Sequence, residues 1–300
     1  MRSLGIRLIL ALLRLLGRMP LALLDTFGAW VGELMWRLGT RARGVVEVNL
    51  ELCLPALSPA EREQLAHAAM REFGRNVMAM LHAWFATPER VLTAITAIEG
   101  EDVLKQALAE GNGVIVLAPH LGNWEVLGVH LGHHYQCTNM YLPARKNVEF
   151  SEAVLRARVR AGGDVAPADA GGVRTVLKTL KAGRVVGILP DQEPKLAGAE
   201  FAPFFGQPGL TMTLVSNLLQ RTGARAVFAA AIRQPHDHRY RLVFQPADAE
   251  LYAEDLGVSL TALNRGVERL VALAPAQYQW EYKRFKARLP GRPNPYKGDR

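Results

Sequence analysis

Along the chain, short aliphatic runs alternate with longer stretches in which apolar residues recur every three or four positions. The first kind reads as buried strand, the second as amphipathic helix. Ser58-Pro59-Ala60-Glu61 is a capping box with proline at the first helical position, and it opens a long helix through Trp84. Beyond it the pattern predicts a strand over 93–99, a helix over 101–109, a strand over 113–118, a helix over 123–131 and a strand over 138–142. Helices are expected over 149–161 and 172–181, then a buried strand over 185–189 and an apolar helix over 211–222. A strand pair over 226–232 and 240–244 and an amphipathic helix over 256–273 complete the pattern. Such alternation argues an α/β fold, a layered mixed sheet flanked by helices. No repeat or low-complexity linker divides it, so residues 43–300 are expected to form one domain behind a hydrophobic helical region, residues 1–42.

That N-terminal region is apolar but interrupted. Arg7 and Arg14 break residues 4–16; Pro20, Asp25 and Glu33 break residues 19–36. A spanning helix needs about 20 predominantly apolar residues. The two pieces read instead as interfacial, membrane-associating helices, with arginines snorkelling to headgroups and Trp30 and Trp36 at interface depth. A single distorted anchor and an ordinary buried helix pair are the other readings. A cleaved signal peptide is disfavoured, because charges fall inside the apolar stretch and no small-x-small site follows cleanly.

Three hundred residues with 49% hydrophobic and 21% charged side chains suit one domain with a substantial core and exclude disorder or a fibrous repeat. The net charge of +8 favours an anionic partner: nucleic acid, anionic lipid or an acidic carrier protein. No basic stripe interleaved with aromatics is present, so no nucleic-acid partner is expected. Residues 281–300 carry net +5 and residues 1–48 net +4, which suits both ends to phosphate headgroups; a solvated tail serving solubility is the alternative at the C-terminus. Cys53 and Cys137 form neither a disulfide framework nor a metal pattern and fit a reducing compartment. His130, His133 and His134, and His236 and His238, lack cysteine or carboxylate partners at ligand spacing; they read as surface histidines, the second group in a hairpin turn.

The densest chemistry lies in Ala118-Pro119-His120-Leu121-Gly122-Asn123-Trp124-Glu125. A histidine at the C-terminal edge of a buried strand points into the crevice where α/β sheets bind ligands. With an unperturbed pKa of about 6.5, it can take the proton of a weakly acidic alcohol that attacks an acyl group. A nearby carboxylate fixes its tautomer. Five positions along one helix would place Glu125 about 140° from His120, so the two meet only through a turn, which Gly122-Asn123 supplies. No serine or cysteine nucleophile accompanies them. The pattern alone fits equally well a satisfied strand-end histidine and an unrelated surface glutamate.

His120-x4-Glu125, with its Ala-Pro and Gly-Asn-Trp flanks, resembles the His-x4-Asp/Glu signature of glycerolipid acyltransferases, in the form found in the late acyltransferases of lipid A biosynthesis (the lauroyl/myristoyl transferase family). Three further segments are similar to blocks of that family: residues 189–194 around Pro190-Asp191-Gln192, residues 201–206 (Phe-Ala-Pro-Phe-Phe-Gly) followed by Thr211-Met212-Thr213, and residues 280–286 from Trp280 to Arg284-Phe285-Lys286. Together they span about residues 43–288, in the family's order. One departure stands out. Where many members carry a basic residue after the tyrosine, Tyr141-Leu142-Pro143 has leucine; Arg145 and Lys146 are the candidates to supply that charge.

The resemblance implies a glycerolipid acyltransferase-like fold and an enzyme at the cytoplasmic face of the inner membrane of a Gram-negative-type bacterium. It implies an acyl chain delivered as a thioester on acyl carrier protein and a hydroxyl acceptor on a Kdo-bearing lipid A precursor, with membrane lipids around it and no metal or organic cofactor. On this reading His120 is the general base and Glu125 supports it. Backbone N–H groups near Gly122 and Asn123 are the expected oxyanion donors. Asp191 is expected to position a polar acceptor or hold a loop at the cleft, although Pro-Asp is also a common turn. Arg145, Lys146 and Arg174 are candidate phosphate contacts, and Phe204 and Phe205 fit either an acyl groove or the core. An acyltransferase with another acceptor, such as a lysophospholipid or ornithine lipid, and a non-enzymatic membrane-binding protein are the rival readings.

Overall fold

The computed structural model describes residues 2–142 and 148–297, with side chains from Leu10 onward. The N-terminal third is helical: α1 (Arg2–Gly17), α2 (Leu21–Arg37), α3 (Arg41–Cys53), α4 (Pro59–Phe85) and the short α5 (Pro88–Leu92). The boundary expected at residues 42–43 falls inside the first turn of α3. The capping box of α4 forms as predicted: the Glu61 N–H donates to Ser58 Oγ at 3.3 Å and the Ser58 N–H to Glu61 Oε2 at 2.7 Å.

The rest alternates strands and helices: β1 (Ile95–Glu99), α6 (Glu101–Ala109), β2 (Val114–Leu117), α7 (Trp124–Tyr135), β3 (Thr138–Tyr141), α8 (Val148–Arg160), β4 (Asp164–Pro167), α9 (Ala170–Lys181) and β5 (Val185–Ile188). Then come the hairpin β6 (Ala199–Phe204) and β7 (Gln207–Met212), α10 (Leu214–Thr222), β8 (Arg225–Arg233), β9 (Tyr240–Pro246) and α11 (Leu256–Leu273). Among the described residues, seven strands form one sheet in the order β1-β9-β8-β2-β5-β3-β4, with β6 and β7 paired separately. Every pairing in the large sheet is parallel except β8 with β9.

β2 is central and buried along its whole length. That explains its unbroken aliphatic sequence, since helices cover both faces of a parallel sheet. Alternation still sorts the side chains. Ile115 and Leu117 join one apolar layer with Val176, Leu180 and Leu263; Val114 and Val116 join the other with Val126 and Leu127.

Two expectations changed. The helix expected from 211 starts only at Leu214, because 207–212 is a strand. A two-residue turn closes the hairpin at Phe205 (φ 47°) and Gly206 (φ 73°). Both residues take the left-handed values of a type I′ turn, whose usual Asn-Gly signal is absent here. His130, read as a surface histidine, is 2% exposed; its Nε2 lies 2.9 Å from Glu101 Oε1.

At the N-terminus, α2 crosses α4 at backbone contact. A Cβ on Gly28 would sit 2.5 Å from the Gly74 carbonyl oxygen, and one on Gly32 would sit 2.2 Å from that of Met70. Asp25 anchors the crossing from a buried position, taking Arg75 at 3.2 Å and His238 at 2.9 Å. The outer face of α2 carries Leu23, Phe27, Trp30 and Leu34, all exposed, at helical spacing along one stripe. No helix among the described residues is long and apolar enough to cross a membrane.

Gly28→Leu forces the helices apart. It is expected to cost about 1–3 kcal/mol, the usual penalty of overpacking, read as a lower thermal midpoint by circular dichroism. Gly44→Ala, where a Cβ meets nothing within 4 Å, is expected to leave the midpoint unchanged or higher.

Candidate active site

Two neighbouring strands deliver the key side chains. β2 and β5 pair in parallel with Leu117 opposite Ile188, and the Ala118 N–H donates to the Ile188 carbonyl at 3.0 Å. His120 and Asp191 each follow three residues beyond that matched pair, so the register sets them side by side. The His120 N–H donates to Asp191 Oδ2 at 2.9 Å, and His120 Nδ1 lies 2.9 Å from Asp191 Oδ1. Asp191 is 2% exposed. Burial alone would raise its pKa, but the His120 ring and hydrogen bonds outweigh that and hold it below the ordinary carboxylate value. An ionised Asp191 accepts Nδ1–H, which leaves the lone pair on Nε2. Burial, with the Asp191 charge nearby, pushes the Tyr278 hydroxyl well above the usual tyrosine range, so it stays neutral.

This geometry corrects the expected pairing. The carboxylate on the His120 ring is Asp191 rather than Glu125. The turn at 121–123 ends at Trp124, where α7 begins, so Glu125 sits in the first helical turn, and its carboxylate takes Arg158 of α8 in a fork: Nη2 to Oε1 at 2.5 Å and Nε to Oε2 at 3.0 Å. Burial would lower the Arg158 pKa, yet the Glu125 charge raises it. Trp124 stacks edge-on against the His120 ring, 4.7 Å between centroids. Asp191, expected to position a polar acceptor or hold a loop at the cleft, has both oxygens turned to His120.

Gly122 and Asn123 do not offer free N–H groups. The Gly122 N–H donates to the Gln277 carbonyl at 3.1 Å and the Asn123 N–H to that of Ala231 at 2.9 Å. These bonds seat the turn on β8 and on the C-terminal segment. Gly122 has φ +57°, and a Cβ there would lie 2.0 Å from the Ala231 carbonyl oxygen, so only glycine fits. The Asn123 side chain caps α7 by accepting from the Val126 N–H at 3.2 Å.

A cavity of about 510 Å³ opens beside His120, within the usual range for ligand sites. Trp84, Trp124, Val129, Met140, Ile188 and Met212 supply much of its apolar wall, with Glu125 and Arg158 on the same lining. Leu142, in the position where a basic residue was expected, lines it too and is strongly exposed. Arg145 and Lys146 lie outside the described residues. Arg174 is exposed on α9, one residue past Val173, which lines the cavity; Arg174 itself does not. Phe204 and Phe205 pack among Tyr278, Trp280 and Phe285, in the core rather than in the cavity.

The C-terminal block braces the site. The Gln279 N–H donates to the His120 carbonyl at 3.0 Å, and Gln192 Nε2 donates to Gln279 Oε1 at 2.8 Å. Arg284, expected to serve headgroups as part of a basic tail, is buried; it donates to the Leu210 carbonyl at 2.9 Å and covers the Phe204 ring. Sequence reasoning missed Arg158. It sits among Arg156 and Arg160 with nothing local to mark it, and only the fold shows that it alone of the three meets Glu125.

Residues 1–287 match the family model of the bacterial lipid A biosynthesis acyltransferases. The chain is 30% identical over 281 residues to the lipid A biosynthesis palmitoleoyltransferase of Escherichia coli K12, covering 93% of this chain and 90% of that protein. It is 26% identical to the lauroyltransferase of the same organism, covering 96% and 93%, and 26% identical to its myristoyltransferase, covering 91% and 84%. With a histidine held by a buried carboxylate, a cavity beside it and this match over nearly its whole length, the chain is an acyltransferase and belongs to the bacterial lipid A biosynthesis acyltransferase family.

Proposed function

We propose that this acyltransferase moves a fatty acyl group from acyl carrier protein to a hydroxyl of a Kdo-bearing lipid A precursor, at the cytoplasmic face of the inner membrane. One observation carries the chemistry: the His120 ring is tied through Nδ1 to a buried carboxylate beside a largely apolar cavity. An imidazole held in that tautomer presents Nε2 as the base. In the reaction, Nε2 takes the acceptor hydroxyl proton as the oxygen attacks the thioester carbon. The C–O bond forms and, from the tetrahedral intermediate, the C–S bond breaks. The departing thiolate recovers the proton from His120.

Asp191 takes the supporting role first given to Glu125. Glu125 keeps a different one: it holds Arg158 as a cation on the cavity wall, and that cation stabilises negative charge developing on the thioester oxygen. This replaces the Gly122 and Asn123 N–H groups, which are already bonded. The exposed apolar stripe of α2 supports a protein that rests on the membrane surface. Leu142 at the cavity favours one second reading, the same transfer to another bacterial lipid acceptor.

His120→Ala is expected to lower kcat by about 10³ or more, and Asp191→Asn by roughly 10²–10⁴, through the wrong tautomer. Glu125→Gln is expected to lose less, on the order of 10–10². Turnover of acyl carrier protein thioester in vitro checks all three, and near-native activity of His120→Ala would end the mechanism. For the acceptor, lipid A from a deletion strain is expected to lose the mass of one secondary acyl chain, restored by wild type and not by His120→Ala. Unchanged lipid A in a strain without paralogues would assign the transfer to the second reading.

A further inference from the structure

Many helical cations of this protein are held by an acid one turn away. Arg37 pairs with Glu33, Arg43 with Glu47, Lys105 with Glu101 and Arg156 with Glu152. Helix α9 breaks the pattern. Its sequence, AGGVRTVLKTLK, contains no acid. Arg174, Lys178 and Lys181 occupy positions i, i+4 and i+7, which stack on one face. All three are exposed, and among the described residues none sits in an ion pair. The opposite face is anchored: Val176 and Leu180 are fully buried in the core layer under the sheet. Like charges one turn apart weaken a helix, so α9 keeps an arrangement that an opposite charge from outside would relieve.

The stripe also begins at the right place. Asp169, the N-cap of α9, and Val173 both line the cavity, and Arg174 is the next residue. Twelve residues make α9 about 18 Å long, a length that one helix of a small partner can lie along. Lipid is the poorer match. A helix that rests in a membrane interface turns apolar side chains to it, as α2 does with Phe27 and Trp30, whereas none of the exposed large apolar residues lies in α9.

We infer that the exposed face of α9 is the docking surface for an acidic protein that carries the acyl chain as a thioester on a flexible arm. This rests on the donor proposed above. A carrier seated along Arg174, Lys178 and Lys181 holds its arm at the N-terminal end of the helix, where Asp169 and Val173 line the same cavity as His120. The surface sets affinity for the carrier and leaves the chemical step alone.

The test compares two donors of the same acyl chain, acyl carrier protein thioester and acyl-pantetheine, which lacks the acidic protein. With the Lys178→Glu/Lys181→Glu protein, KM for the carrier thioester is expected to rise on the order of tenfold with kcat nearly unchanged, since such charges act mainly on encounter. Added salt is expected to raise the wild-type KM toward the variant's. Acyl-pantetheine turnover is expected to be equal in both proteins, which also shows that the variant is folded. If wild type uses the carrier thioester and the variant does so with the same KM, the donor stands and the docking surface is overturned. If wild type uses acyl-pantetheine but gains nothing from the carrier, both fall. If the variant keeps its carrier KM but loses binding to phosphatidylglycerol vesicles, the stripe faces lipid and the inference is overturned.

Discussion

The hydrogen-bonded pair between His120 and Asp191 is the constraint around which the site is arranged. A carboxylate with so little exposure stays ionised only if donors replace the water it has lost. Here one residue supplies two of them, a backbone N–H and a ring N–H. Both contacts need two chain segments to arrive in matched register, and the parallel pairing of β2 with β5 provides that match through Leu117 and Ile188. The turn after His120 is then pinned from the other side by β8 and by residues 277–279. Little freedom remains in the ring, which lines the cavity while its Nδ1 is taken by Asp191.

Asp191 and Glu125 are used differently. Asp191 has lost its solvent and answers to the histidine. Glu125 answers to an arginine and lies on the cavity lining with it. The separation follows from one helical turn: α7 starts between His120 and Glu125, so the five-residue spacing that suggested a dyad spans a change of element instead. Short spacing in sequence placed both residues at the cavity, and the partner of each came from a distant segment.

What could be read from the sequence was whatever local chemistry determines. The capping box of α4, the helix over 101–109 and the closing helix 256–273 appear as expected because caps and a 3.6-residue period act within one segment. The strand before His120 was legible because a four-residue aliphatic run has few other uses in an α/β chain. The β6–β7 hairpin was not, since Phe205-Gly206 takes left-handed values that its residue types do not advertise and apolar residues over 207–212 blend into the helix that follows. The partner of His120 was open for a deeper reason. Asp191 stood out as a motif, but contact between positions 120 and 191 is a property of strand order, which no local window contains. Arg158 and the buried Arg284 illustrate the same limit: one inward-facing arginine among several is selected by packing, not by its neighbours in the chain.

The bracing of the turn by its C-terminal segment has a temporal consequence. Gln279 holds the His120 carbonyl, and Trp280 and Tyr282 are held in turn by Asn49, which also accepts from the Tyr296 hydroxyl. Asn49 and Tyr296 lie 247 positions apart, so during synthesis the clasp around the histidine closes only after position 296 has emerged. Until then the sheet can form while the turn after His120 remains unfastened. A chain cut short before that segment has the histidine and the carboxylate without the buttress that holds their turn.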